Sequence, residues 1–341
     1  MYSSYSSLQQ SQLAAQGYYD TQSTYLLVYA PGRNTALRAT LADQLHRKFR
    51  LADTLGSALT EGVDGVLLVS EDVECMSTAL MCFAKALQDG ADYAVCNAVF
   101  GFGGATALYQ SRAHLAQNRC ALVSRPLLER CRAAAKDPEN VTELLALAAQ
   151  FCAHPARIPQ ALLHYERDIC AEDAFSATGK RAFLMSHVLD MTGAPIVLVS
   201  AVPVLRSMGY EVVVLGPSDG GALQLFVDAG AAVITRPGIR ATPNLWGLAL
   251  CTDLVLVNTV VMARTVRALS GTAVPVLWWL HDAFAGYPHI AHQIPTKLAE
   301  NVRLYSVGHH AANAMHAVRP DFQIGQLIYG LPDYAAEDFP R

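Results

Sequence analysis

None of the eight cysteines stands in a C-x-x-C pair, so the spacing that builds most structural zinc sites is missing. The chain opens without the basic region and apolar segment of a secretory leader; Met1 to Gln16 is instead rich in Ser, Gln and Tyr. Together these features point to reduced thiols in a cytoplasmic protein. No uninterrupted apolar run reaches the ~18 residues that a membrane span needs. The nearest, Leu245 to Ala263, is broken by Asp253 and Asn258, and leaves only peripheral membrane contact open. Charge is sparse as well, at 16% of residues with a formal net charge of -4. Without a broad basic surface, the composition argues against nucleic-acid binding through phosphate contacts.

What the chain does have is aliphatic content. Hydrophobic residues make up 52% and mean hydropathy is +0.23, a balance typical of parallel sheets whose strands are buried on both faces. The 341 residues suffice for two cores. Residues 1–24 read as a polar, disordered tail, 25–166 as one α/β domain, 167–180 as a polar linker, 181–334 as a second α/β domain and 335–341 as a tail. In the first domain, Tyr25 to Ala30, Gly65 to Ser70, Ala91 to Asn97, Cys120 to Ser124 and Ile158 to Tyr165 read as strands. Leu37, Leu41 and Leu45 predict a helix from Thr35 to Phe49. The second domain alternates strands near Ala182, Glu211, Ala232, Asp253, Val274 and Arg303 with helical stretches such as Pro195 to Ser207, which predicts an open parallel sheet.

Polar residues cluster where these strands end. Thr192-Gly193-Ala194 forms a strand-to-helix turn that suits either backbone contact with a ligand or a plain turn. His281-Asp282 follows Trp278-Trp279-Leu280; a histidine there can exchange protons near neutral pH with the acid orienting it, or can simply be satisfied in the core. Trp278 and Trp279 are expected to divide between core and cleft. Asn258-Thr259 can bond a hydroxyl group or cap the next helix. His309-His310 has no third ligand at metal-binding spacing. In the first half, Glu71-Asp72-Val73-Glu74 closes a strand with an acidic turn, which suits either a divalent metal or solvent ahead of a helix. Gly101 to Thr106 fails the dinucleotide pattern at Thr106 and reads as a flexible loop.

Taken in order, Ser186 to Pro195, Pro275 to Asp282, Val307 to His310 and Leu327 to Tyr334 resemble the N-terminal Rossmann-like domain of GT-B fold glycosyltransferases, family 4. The resemblance implies an acceptor-binding domain in which His281 reaches the reaction centre with Asp282 beside it, and Thr192, Gly193, Ala194, Asn258 and Thr259 contact substrate. Val66 to Glu74, with the strands at Ala91, Cys120 and Ile158, resembles more weakly the later part of a GT-A, family 2 domain. There the acidic turn would hold magnesium or manganese on a nucleotide sugar, with Asp72 and Glu71 as the ligands. Ser70 replaces the first acid of that turn, and the general-base pair has no clear match beyond Glu139 or Glu143, so a degenerate GT-A domain is expected. The implied activity is sugar transfer from a nucleotide sugar to a glycan or lipid-linked acceptor in surface polysaccharide synthesis, at the inner face of the membrane. The family's donor-binding half would follow residue 341, so the resemblance implies an exposed apolar rim around Trp278, Phe284 and Tyr287 and, with it, a partner domain or self-association. The rival reading is a non-catalytic carbohydrate-binding or scaffold protein built from decayed transferase domains.

Overall fold

The computed structural model describes residues 21–32, 34–56, 62–101, 106–176, 178–239 and 246–330. The chain forms two compact α/β units, one from Met1–Thr178 with Gly230–Arg236, the other from Gly179–Ala229 with Pro237–Arg341.

The first unit is built on a mixed sheet. Its strands are β1 (Leu26–Tyr29), β2 (Phe49–Ala52), β3 (Gly65–Val69), β4 (Glu74–Cys75), β5 (Tyr93–Phe100), β6 (Thr106–Tyr109), β7 (Cys120–Ser124) and β8 (Pro155–Tyr165). Helices α1 (Thr35–Leu41), α2 (Ala79–Gln88), α3 (Arg125–Ala134) and α4 (Val141–Phe151) accompany them. β1 lies between β2 and β3, parallel to both, while β7 joins β3 to β5 by antiparallel pairing. The wholly apolar β1 and β3 are buried throughout, and Leu27, Val66, Leu68, Val123, Leu128 and Leu144 share one core.

The helix expected from Thr35 to Phe49 ends at Leu41, and Phe49 opens a strand. The aliphatic spacing that continues through Leu45 is broken by Gln44. Its fully buried amide donates to the Met76 carbonyl (2.8 Å) and accepts from the Leu80 N–H (3.0 Å), which turns the chain inward. The glycine-rich segment after β5 leads to β6, paired antiparallel with β5, and so joins two strands; its residues 102–105 lie outside the described residues, as do most of the expected tails.

The polar segment expected to be a linker is ordered over most of its length. Helix α5 (Ala171–Ala174) sits in it, and Asp173 is 2% exposed. Arg167 donates to both Asp173 oxygens (2.7 and 2.9 Å) and to Glu71 (2.5 Å), and lies over the stacked rings of Phe100 and Tyr165. The order of this segment comes from charge pairing, which leaves no hydrophobic period in the sequence.

The second unit is an open, all-parallel sheet of Rossmann type. Its strands are β9 (Lys180–Met185), β10 (Tyr210–Gly216), β12 (Leu254–Asn258), β13 (Val276–Leu280), β14 (Val302–Ser306) and β15 (Ile324–Gln326), in the spatial order β10-β9-β12-β13-β14-β15. The intervening β11 (Ala232–Thr235), expected in this domain, instead pairs antiparallel with β6 and belongs to the first unit. Helices α6 (Gly193–Ser207), α7 (Leu223–Asp228), α8 (Trp246–Leu250), α9 (Ala263–Leu269) and α10 (His309–His316) complete the unit. Strand order reverses at β9, whose chain continues to β10 on one side while β12 lies on the other. Ligands in open α/β sheets bind beyond the carboxyl ends of the strands at such a reversal.

The turn after β9 is fixed by Leu189, 1% exposed, whose carbonyl accepts from the Ala222 N–H (2.8 Å). This approach requires glycine opposite: a Cβ on Gly220 would lie 2.3 Å from the Leu189 carbonyl oxygen. Gly220→Ala is therefore expected to destabilise the second unit by about 1–3 kcal/mol, as overpacking against immovable backbone does; a denaturation midpoint equal to wild type would contradict the contact. Asp173→Asn should also destabilise, by about 2–3 kcal/mol. That is less than the full cost of breaking a buried pair, because the Arg167 side chain keeps 34% of its exposure. Urea titration of the variant at neutral pH measures it.

Candidate functional site

The residues that close β9, β12 and β13 meet at one edge of the second unit. Parallel registers carry Met185 beside Val257 and Asn258 beside Trp279, so every strand here ends on the same side. Gly193 is the first residue of α6; it is exposed, and open space surrounds its missing Cβ. Thr192 precedes it as N-cap without a side-chain capping bond. The Ala194 carbonyl accepts from the Asn258 amide (3.0 Å), which ties the first turn of α6 to the end of β12. Five residues expected to contact substrate, Thr192, Gly193, Ala194, Asn258 and Thr259, thus lie at one strand-end region.

Thr259 has φ 70 and is the one described non-glycine residue with positive φ. For a β-branched residue this costs about 1–3 kcal/mol and persists only where surroundings impose it. Here β13 imposes it. The Thr259 N–H donates to the Trp279 carbonyl (2.8 Å), and the Trp278 indole donates to the Thr259 carbonyl (2.8 Å). The next N–H, of Val260, donates to Asp282 (2.7 Å). Asp282 thus caps the 3-10 turn Val260–Met262 and orients a backbone, where the sequence suggested that it would orient His281. Burial raises its pKa, against the hydrogen bonds from Val260 and from the His281 and Asp282 backbone.

His281 lies tilted against Trp279, ring centroids 4.7 Å apart. Burial first, and His187 second, lower its pKa from the ordinary 6.5 to about 4, so the imidazole is neutral at pH 7. Among the described residues its Nε2 finds no hydrogen-bond partner though it is buried, and the same holds for Oδ1 of Asn258 on the neighbouring strand. Buried polar atoms are nearly always satisfied, so these two leave hydrogen-bonding capacity unused at adjacent strand ends.

In the sequence His187 is one residue of the Ser186 to Pro195 turn, with no pattern of its own to single it out. Its Nδ1 lies 3.3 Å from the Thr259 hydroxyl, which brings a second imidazole to the edge. Its place directly after the first strand was the available signal. Trp278 and Trp279 do not divide between core and cleft: both are buried, and the Trp279 indole donates to the Leu327 carbonyl. Of the expected apolar rim, Tyr287 and Trp278 are fully buried and only Phe284 is exposed. Their polar atoms are drawn inward with their rings. His309 begins α10, with Nδ1 3.4 Å from the Gln326 amide. A broad cavity of about 750 Å³ runs along β14 and β15, lined by Arg303, Tyr305 and Gly325, and includes none of the strand-end polar residues.

The acidic turn of the first unit is occupied by protein contacts. Asp72 accepts from the Thr35 hydroxyl and from the Ala36 and Leu37 N–H groups, each at 3.1 Å, and so caps α1 from outside the helix. Burial opposes its ionisation, but these bonds hold its pKa below the usual value. Glu71 pairs with Arg167, and Glu74 with His164 (2.6 Å). Among the described residues no group of three or more His, Cys, Asp and Glu is arranged to hold a metal ion. As placed, Asp72 and Glu71 do not fit the magnesium or manganese site implied for them. Glu139 is likewise engaged, accepting from the Leu55 N–H (2.7 Å) and from Tyr29, while Glu143 accepts from the Lys136 and Asp137 N–H groups.

The glycosyl-transferase family 4 model matches residues 178–316, which contain β9 to β14 and every strand-end residue named above. This part of the chain resembles a family 4 glycosyltransferase domain. The match spans less than half of the chain. No curated protein matches. A solved structure, the glycosyltransferase GlyE of Streptococcus pneumoniae TIGR4, aligns over 78% of this chain and 90% of its own at 9% identity, with a TM-score of 0.23, too low to carry an argument. Among the described residues no helix is long and apolar enough to cross a membrane.

The depressed His281 pKa has a consequence for stability. Below pH 6.5 the unfolded chain takes up a proton that the folded chain refuses until about pH 4, so stability falls as pH drops through that window. His281→Gln should flatten this decline. Urea midpoints at pH 7 and pH 4.5 test it; an equal decline in both proteins would refute the shift.

Proposed function

We propose that the chain is a glycosyltransferase whose second unit holds the sugar acceptor at the strand-end crevice, with a nucleotide sugar as donor and a glycan or lipid-linked acceptor in surface polysaccharide synthesis. The observation that carries this reading is the coincidence of two facts. The family 4 match covers the segment that forms this strand-end edge, and two polar atoms there, on Asn258 and His281, are buried without a partner among the described residues. An acceptor hydroxyl placed there would meet a neutral imidazole whose Nε2 takes up the hydroxyl proton while the oxygen bonds to the sugar carbon and the bond from that carbon to the nucleoside diphosphate breaks, its electron pair leaving with the diphosphate. The backbone N–H groups at the start of α6 favour negative charge nearby, which suits the departing diphosphate.

One observation favours a non-catalytic part for the first unit: Glu71, Asp72 and Glu74 are all engaged by neighbours. On this reading it is the scaffold, and catalysis belongs to the second.

Transfer from radiolabelled nucleotide sugars to glycan and lipid-linked acceptors tests the proposal. His281→Ala is expected to lower turnover by a factor on the order of 10²–10⁴, the usual contribution of acid–base assistance. Saturable sugar binding by the full chain with no transfer would favour the carbohydrate-binding scaffold instead. Full activity in the alanine variant would remove His281 from the chemistry.

A further inference from the structure

Strand β14 breaks the burial rule of its sheet. A parallel strand covered on both faces is buried along its length, as β12 and β13 nearly are, but in β14 only Val302, Leu304 and Ser306 are buried. Arg303 is exposed and Tyr305 half-buried. Side chains alternate along a strand, so one face of β14 is left uncovered, and the cavity of about 750 Å³ lies against it. Tyr305 stands beside Gly325 of β15, and its ring packs so closely there that a Cβ on the glycine would lie 2.7 Å from two ring carbons. The lining carries four charged side chains in balance, Lys297 and Arg303 against Glu300 and Asp321. Unlike the acids of the first unit, none of these four has a hydrogen bond or ion pair from its side chain among the described residues.

We propose that this cavity binds a neutral oligosaccharide, with the Tyr305 ring as the platform on which a sugar ring stacks and the four charged side chains as hydrogen-bond partners for its hydroxyls. The chemistry of the lining selects that class. An ion of either sign would meet as many repelling charges as attracting ones. A sugar hydroxyl both donates and accepts, so it satisfies an ammonium or guanidinium on one side and a carboxylate on the other. The C–H face of a sugar is apolar and matches an aromatic ring. The cavity volume falls in the range of sites that enclose compact ligands. Gly325 has a part in the site, because a side chain there would push the ring out of place. The cavity includes none of the strand-end polar residues, and the inference does not rest on sugar transfer at that edge.

Isothermal titration of the full chain with neutral hexasaccharides of glucose, galactose and mannose tests the proposal. A hyaluronan hexasaccharide is the anionic control and a chitosan hexasaccharide the cationic one. Saturable binding of a neutral probe and none of either control is expected. Tyr305→Ala should weaken that binding about tenfold or more, the usual scale for removing a central aromatic contact. Tyr305→Phe, which keeps the ring, should retain most of it. Gly325→Ala should also weaken it, because the added methyl displaces the ring without removing any lining group. Arg303→Gln changes an exposed side chain, should weaken binding several-fold, and covers the case in which the ring variants do not fold. Binding unchanged in Arg303→Gln and in every folded ring variant would place the sugar elsewhere and overturn the inference. So would no binding of any neutral probe, or preferential binding of a charged one. A dimer, seen by light scattering, that Tyr305→Ala disperses would assign the face to a second copy and overturn it too. Failure of transfer by the unaltered chain, with this binding intact, would count against the transferase reading alone.

Discussion

The peptide groups on both sides of Thr259 are held by β13 and the residues that follow it, and the strand-end edge of the second unit is built on that hold. Trp279 takes the Thr259 N–H, Trp278 donates to its carbonyl, and Asp282 takes the next N–H. One strand thereby determines where the neighbouring strand ends and how the chain leaves it. Asn258, one residue earlier, then reaches the first turn of α6, so three elements are joined within two residues of β12. The large indoles are buried because both their rings and their N–H groups are needed inside: they fill the core and terminate backbone groups that the turn would otherwise leave unpaired.

The same local logic produces a neutral histidine. His281 follows a fully buried segment, packs against Trp279, and feels a second imidazole, that of His187. The adjacent carboxylate, which would ordinarily raise its pKa, bonds to backbone. Burial is thus unopposed, and the imidazole stays uncharged well below neutral pH. A neutral ring has one nitrogen that donates and one that accepts a hydrogen bond, and it carries no charge.

In the first unit the organising interaction is electrostatic. Asp173 is almost wholly buried and remains ionised because Arg167 binds both its oxygens, with further bonds from Cys170. Arg167 then reaches Glu71, which connects the segment before α5 to the turn after β3. Asp72 satisfies the free N–H groups of α1, whose own N-cap residue, Asn34, supplies no side-chain bond to them. Two acids that suggest a metal turn in the sequence are therefore explained as supports for the chain around them.

The aliphatic runs by themselves determined where most strands lie, because a strand buried on both faces must be apolar along its length: Leu26–Tyr29, Gly65–Val69 and Val276–Leu280 were all legible in this way. The alternation of such runs with helical stretches likewise determined the parallel sheet, and the order of the strand-end motifs the family resemblance. The half-buried β2 and the short β4 were not legible, since a partly covered edge strand shows no apolar run. Only the tertiary structure decided which partner each polar side chain takes. Asp282 could face His281 or Val260, Asp72 a metal or α1, and His187 solvent or Thr259; each choice depends on groups 22 to 72 residues away in the chain. A hydrogen bond is selected by distance and direction in space, and residue type in sequence specifies only what a group is able to donate or accept.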